Sequence, residues 1–195
     1  HAIMGLGPVF DAALAAQEAC KKIGLKFCVI GGVAVQRWGE PRFTADVDLS
    51  VLVEPGGEHT VASALLARLE ARGESPLEFA LRNRVLLLKS THGVGIDIVL
   101  AGLPFEARAI ERSSLWTIAD DTVLRTCSAE DLLVMKCFAA RDKDWADVTS
   151  ILERLGPRLD LTLVRDELQP LAAAKEEPEI LEQFENRVRR ILGEH

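Results

Sequence analysis

Arg42-Phe43-Thr44-Ala45-Asp46-Val47-Asp48-Leu49-Ser50-Val51-Leu52-Val53 is the stretch on which the reading of this chain turns. From Asp46 to Val53 the composition is that of a strand, and Glu54-Pro55-Gly56-Gly57 closes it. Side chains alternate along a strand, so Asp46, Asp48 and Ser50 share one face while Val47, Leu49 and Val51 share the other. Aspartate is disfavoured in strands, and two carboxylates on one face repel each other. A divalent cation would offset that repulsion, since magnesium takes hard oxygen ligands, typically one or two carboxylates plus substrate phosphates. The competing reading is a solvent-facing edge strand that simply exposes two aspartates.

Two further segments bear on that choice. Ile96-Asp97-Ile98-Val99-Leu100 places a third aspartate in another apolar strand. If the two strands are neighbours, three carboxylates meet on one face, an arrangement able to hold the cations of a two-metal phosphoryl or nucleotidyl transfer. Upstream, Val29-Ile30-Gly31-Gly32-Val33 runs a strand into two glycines and then a helix start. Glycine permits close backbone approach, and a helix N-terminus presents free N–H groups to an anion. By itself the glycine pair is also compatible with a plain turn. No Gly-Lys-Ser/Thr follows it and no GxGxxG is present, so neither a P-loop nor a dinucleotide fingerprint is indicated.

Together, the glycines, Asp46-x-Asp48 and the later strand aspartate resemble the nucleotidyltransferase superfold that includes DNA polymerase beta. Within it, the chain most resembles AbiEii-type toxin nucleotidyltransferases and related minimal proteins. The similarity by motif covers residues 24–102. It extends to Leu132 through Val148, which is similar to the helical Lys…Arg…Asp-x-x-Asp motif that follows the catalytic core in those groups. The resemblance implies an α+β fold, a nucleotidyltransferase-like mixed β-sheet flanked by helices and followed by a C-terminal helical region. It also implies transfer of a nucleoside monophosphate from an NTP to an acceptor hydroxyl.

By position, the resemblance implies that Asp46, Asp48 and Asp97 hold magnesium, with two ions expected, and that Asp97 helps deprotonate the acceptor. Gly31 and Gly32 would let the backbone reach the triphosphate, Arg42 would pair with phosphate, and Lys136 would meet phosphate or developing charge. Asp147, rather than Asp144, would lie near the acceptor. The acceptor implied is RNA, such as the 3′ end of tRNA, which makes the protein a toxin with an antitoxin partner. The alternatives are an antibiotic or other small-molecule acceptor, and a non-catalytic nucleotide-sensing or antitoxin-like protein. One departure stands out: the family's first motif often has Ser or Thr near the glycines, where this chain has Val33-Ala34.

The remainder of the chain supplies context. Residues 8–22, 33–38 and 58–72 are expected to be helices, the last capped by Gly73, and 83–90 with 96–101 a hairpin around 91–95. Residues 104–125 read as a short helix followed by extended chain, and from Ser128 onward the pattern is helical: 129–141, 144–155, 161–175 and 179–192. The expected division is a core over 1–115 and a helical region over 116–195.

Composition sets the outer limits. The 195 residues are 48% hydrophobic and 27% charged, which is globular composition. Net charge is −7, which disfavours non-specific nucleic-acid binding. No apolar run approaches the roughly 20 residues that span a bilayer, so no membrane association is expected. No leader pattern is read at the start, where His1-Ala2-Ile3-Met4 looks like an extension ahead of a natural beginning. Cys20, Cys28, Cys127 and Cys137 lack zinc spacing and read as reduced, buried thiols of a cytoplasmic protein.

Overall fold

The structure, a computed structural model, describes residues 6–193; the extension His1–Met4 lies outside them. The chain divides into two compact units, His1–Val33 with Phe43–Cys127, and Ala34–Arg42 with Ser128–His195.

The first unit is built on a seven-stranded mixed sheet. Its strands are β1 (Phe27–Ile30), β2 (Val47–Leu52), β3 (Glu70–Ala71), β4 (Val85–Lys89), β5 (Gly95–Ala101), β6 (Ser114–Ala119) and β7 (Thr122–Thr126), in the order β3-β4-β5-β2-β1-β7-β6. Strand β2 lies antiparallel to β1 and parallel to β5. Val47, Leu49 and Val51 alternate inward, as the sequence requires, and join Ile96, Ile98, Leu86 and Leu88 in one buried cluster. Helices α1 (Pro8–Ile23) and α3 (Glu58–Leu66) contribute Ala12, Ala13, Ala16 and Leu65 to it. The small side chains of α1 let that helix lie close to the strands.

Gln17 is the polar exception on α1. Its Nε2 donates to the Val123 carbonyl at 2.9 Å, and its Oε1 accepts from the Arg125 N–H at 2.9 Å. The buried amide thus borrows both backbone groups of β7, and none of its polar atoms is left unsatisfied. The remaining helices of this unit are α4 (Pro76–Asn83) and α5 (Pro104–Glu111). Helix α2 (Gly31–Trp38) begins in the first unit, and its residues from Ala34 belong to the second.

The second unit contains α6 (Ala129–Ala139), α7 (Asp142–Leu155), α8 (Leu161–Lys175) and α9 (Glu179–Leu192). Ser128 caps α6, its Oγ accepting from the Asp131 N–H at 3.0 Å. Phe184, Ile151, Leu132 and Leu133 are among its fully buried side chains. The segment before Arg42 is stitched onto α7: Arg154 Nη1 donates to the Gly39 carbonyl at 2.6 Å and the Glu40 N–H donates to Ser150 Oγ at 3.2 Å.

Three differences from the sequence reading have physical causes. The helix expected over 58–72 ends at Leu66, because the chain then pairs as an edge strand, Glu70 against Lys89 and Ala71 against Leu88. Ladder pairing here outweighs good local helix propensity. Helix α2 starts at Gly31 itself with no intervening turn, Gly31 taking φ +63°. Residues 116–127, expected with the helical region, complete the sheet, since β6 pairs antiparallel with β7, and β7 pairs with β1 through Val29 and Thr126. The four cysteines are buried, with burial pushing the Cys20 thiol up to about 12 and Cys137 upward too.

Candidate active site

The register of β2 against β5 decides how the strand aspartates meet. Asp48 stands directly opposite Asp97 on the neighbouring parallel strand, so their side chains leave the same face of the sheet. Both are half-buried. Asp46, exposed, lies just ahead of β2, and its Oδ1 would lie 2.5 Å from a Cβ placed on Gly95. Gly95 is two residues before Asp97 on β5, which puts all three carboxylates on one face.

Two glycines make room for this group. A Cβ on Gly31 would run into the Asp48 carboxylate, and its φ of +63° is one that favours glycine. Gly32 is shielded differently: a Cβ there would collide with Thr44 Oγ1. A hydroxyl therefore does stand beside the glycine pair, but it comes from the second motif and not from positions 33 or 34. It donates to the Asp46 carbonyl at 3.2 Å.

Arg72 is the residue of this face that sequence reasoning missed. Its Nη2 donates to Asp97 Oδ1 at 2.5 Å, and its Nη1 to the Leu88 carbonyl at 3.3 Å. Periodicity assigned Arg72 to the end of a helix. Only the long-range pairing of β3 with β4 brings it to the sheet, and no local signal carries that information.

Asp46 and Asp48 are chemically suited to a hard cation: acceptor-only oxygens at an accessible sheet face. One oxygen of Asp97 accepts from the Arg72 guanidinium. Among the described residues, no group of three His, Cys, Asp or Glu side chains is arranged to hold a metal ion.

The remaining sequence candidates lie in the second unit and find each other. Lys136 on α6 is buried, 7% exposed, with Nζ 2.8 Å from Asp147 Oδ2 and 3.2 Å from Asp144 Oδ1. The two acids are three residues apart on α7 and so share a helix face. Arg42 grips Asp147 with a fork, Nε to Oδ1 at 2.6 Å and Nη2 to Oδ2 at 2.8 Å. Arg141 does likewise for Asp144, with Nε to Oδ2 at 2.6 Å and Nη2 to Oδ1 at 3.3 Å. Burial by itself would raise both acids. The hydrogen bonds of Arg141 and Lys136 to Asp144, and of Arg42 and Lys136 to Asp147, outweigh it and hold both below the usual carboxylate value. The Asp147 hydrogen bond in turn raises Arg42, against the effect of its burial.

A seven-stranded mixed sheet flanked by helices, with paired aspartates beside a glycine-started helix, defines the nucleotidyltransferase class. The crystal structure of an antigenic nucleotidyltransferase-like protein from Paracoccidioides brasiliensis shares this fold: 14% identity, 95% of this chain and 96% of that one covered, TM-score 0.50. The solution structure of the antibiotic-resistance factor ANT(2'')-Ia matches more loosely: 16% identity, 91% and 87% covered, TM-score 0.44. No curated protein matches the chain. The family model "Nucleotidyl transferase AbiEii toxin, Type IV TA system" matches residues 12–193, and the chain belongs to that family of transferases.

Proposed function

We propose that the face bearing Asp46, Asp48 and Asp97 binds an NTP with magnesium and transfers its nucleoside monophosphate to a hydroxyl on RNA. The observation that carries this reading is the lateral pairing of Asp48 with Asp97, with Asp46 beside them and glycines at 31 and 95 making room for the Asp48 and Asp46 carboxylates. Like charges set directly opposite on adjacent strands are destabilising, and a bound cation would add to the offset that Arg72 gives Asp97. The acceptor oxygen attacks the α-phosphorus in line; a new P–O bond forms, the bond to pyrophosphate breaks, and the hydroxyl proton leaves to solvent. Bound magnesium would supply charge neutralisation on the triphosphate. Asp46 and Asp48 would hold that ion, and Gly31 and Gly32 would admit the phosphates to the start of α2. Thr44 Oγ1 is placed to contact a phosphate oxygen near them. The protein's contribution is positioning and electrostatics more than covalent chemistry.

In the same reading Arg42, Lys136 and Asp147 serve the helical unit first, since each already satisfies another's charge. The type IV toxin–antitoxin family suggests an antitoxin partner. Four buried cysteines without zinc spacing suit a reducing compartment such as the cytoplasm, and among the described residues no helix is long and apolar enough to cross a membrane. A small hydroxylated acceptor is the second reading, favoured by the net charge of −7, which is unhelpful for gathering RNA. Incubation with each α-labelled NTP, magnesium and total RNA tests the proposal. Label in an RNA fraction supports it; label appearing only in small molecules, or nowhere, contradicts it.

A further inference from the structure

We infer that Gly95 and Arg72 are positioning residues of the carboxylate face: the methyl group that Gly95 lacks is the space through which the Arg72 guanidinium reaches Asp97, and filling that space would displace Asp97 and Asp46 together. The inference rests on the reading of that face as the metal and nucleotide site.

Backbone conformation gives no reason for a glycine at position 95. Gly95 opens β5 opposite Lys89, is buried, and has a φ outside the positive range that favours glycine. Alanine suits such a strand position at a lower conformational cost. What alanine does not suit is the space. A Cβ on Gly95 would collide with Arg72 Nη1 and stand 2.5 Å from Asp46 Oδ1. Both atoms are the far ends of flexible side chains. The strand can therefore accept the methyl group, and these two charged groups are what must move.

Arg72 is anchored on the other side. Its backbone N–H donates to the Leu87 carbonyl at 3.0 Å, one residue past β3. Its guanidinium spans two acceptors, Nη1 to the Leu88 carbonyl at 3.3 Å and Nη2 to Asp97 Oδ1 at 2.5 Å. A guanidinium stays protonated at any working pH and holds its donors in a rigid plane. Seated at both ends, it restrains the rotation of the Asp97 carboxylate. The pair is part-exposed, 38% for Arg72 and 32% for Asp97, so water competes for it and its geometry depends on both anchors. Nη1 is the atom that a methyl group at 95 would push. Unseating it from Leu88 passes the shift through the rigid fork to Nη2 and Asp97, while the same methyl group presses Asp46 directly. One buried glycine thus governs two of the three carboxylates.

ATP with Mg²⁺ is the probe, titrated into the full chain by calorimetry, with urea unfolding of each variant alongside. Gly95→Ala is expected to weaken the Mg²⁺-dependent binding of ATP about tenfold, the scale of losing a partner that orients a metal-binding group. Its urea midpoint should equal or exceed that of the wild type. Arg72→Gln should weaken binding by a similar factor. The double variant should be no worse than the weaker single one, because both act through the same contact. Should Arg72→Gln fail to fold, Gly95→Ala decides alone. Wild-type affinity in Gly95→Ala, a loss that comes only with a lower urea midpoint, or losses that multiply in the double variant would overturn the inference and leave the functional reading standing. A wild-type chain that binds no ATP, or binds it equally well without Mg²⁺, would bring down that reading and this inference with it.

Discussion

The sheet face of the first unit and the α6–α7 face of the second each gather carboxylates, and they treat them in opposite ways. In the second unit, Asp144 and Asp147 are 0% and 2% exposed, and three basic side chains converge on them. In the first, Asp46, Asp48 and Asp97 remain open to solvent to varying degrees, with Arg72 on Asp97. Buried charge must be paired, because removing ions from water is costly. Charge at an accessible face keeps part of its hydration and can still exchange it for a ligand. The contrast separates acids buried among basic side chains from acids that, in the proposed function, would hold a cation.

Substitutions can break this contrast from either side. The largest effect is expected at Asp48. Asp48→Ala should lower nucleotide transfer about a thousandfold, since metal stabilisation is worth several kcal/mol. Its unfolding midpoint should hold or rise, because a like-charged neighbour is gone; undiminished transfer would refute the assignment. Lys136→Met should act the other way, leaving Asp144 and Asp147 short of a buried partner. A loss of about 3 kcal/mol in urea unfolding is expected, at the low end for broken buried pairs because Arg42 and Arg141 remain. A stability change within about 0.5 kcal/mol would show that Lys136 is no structural partner.

Acid should distinguish the two faces next. Asp144 and Asp147 sit below their ordinary values when folded, so the unfolded chain binds more protons as pH drops. Their contribution is whole above about pH 4 and is lost as pH falls through the lowered folded values. Melting temperature should therefore drop steeply below about pH 4, and less steeply in Asp147→Asn. Equal slopes in the two proteins would contradict the pairing. The smallest effect is expected at Arg82, whose pair with Glu78 on α4 is 74% and 68% exposed. Arg82→Ala should change stability by less than about 0.5 kcal/mol.

How much of this was legible beforehand depends on the range of the interaction. Alternation alone placed Asp46 and Asp48 on one face, because a strand's period is set by its own backbone. The bounds of α8 and α9 were readable from their apolar spacing and the intervening Glu176-Glu177-Pro178. The partnership of Asp48 with Asp97 was an inference about strand adjacency that needed the sheet order to test. Arg72 was not legible at all: residues 58–72 have helical character, and only pairing with β4 makes their end a strand. The fate of Lys136 was equally hidden, since one apolar helix pattern is compatible with a solvated lysine and with a buried one. Thr44, two residues ahead of Asp46, was quoted in the motif without a role, because its proximity to Gly32 depends on how β2 enters the sheet.

The central claim is that the three strand aspartates form a cation-dependent nucleotide site. Isothermal titration calorimetry with ATP and with CTP, run with and without Mg²⁺ on the wild type and on Asp48→Ala, tests it most directly. Binding that requires Mg²⁺ and disappears in Asp48→Ala is the expected result. Binding equally tight without Mg²⁺, or untouched by the substitution, would contradict it and point to a nucleotide-sensing protein instead.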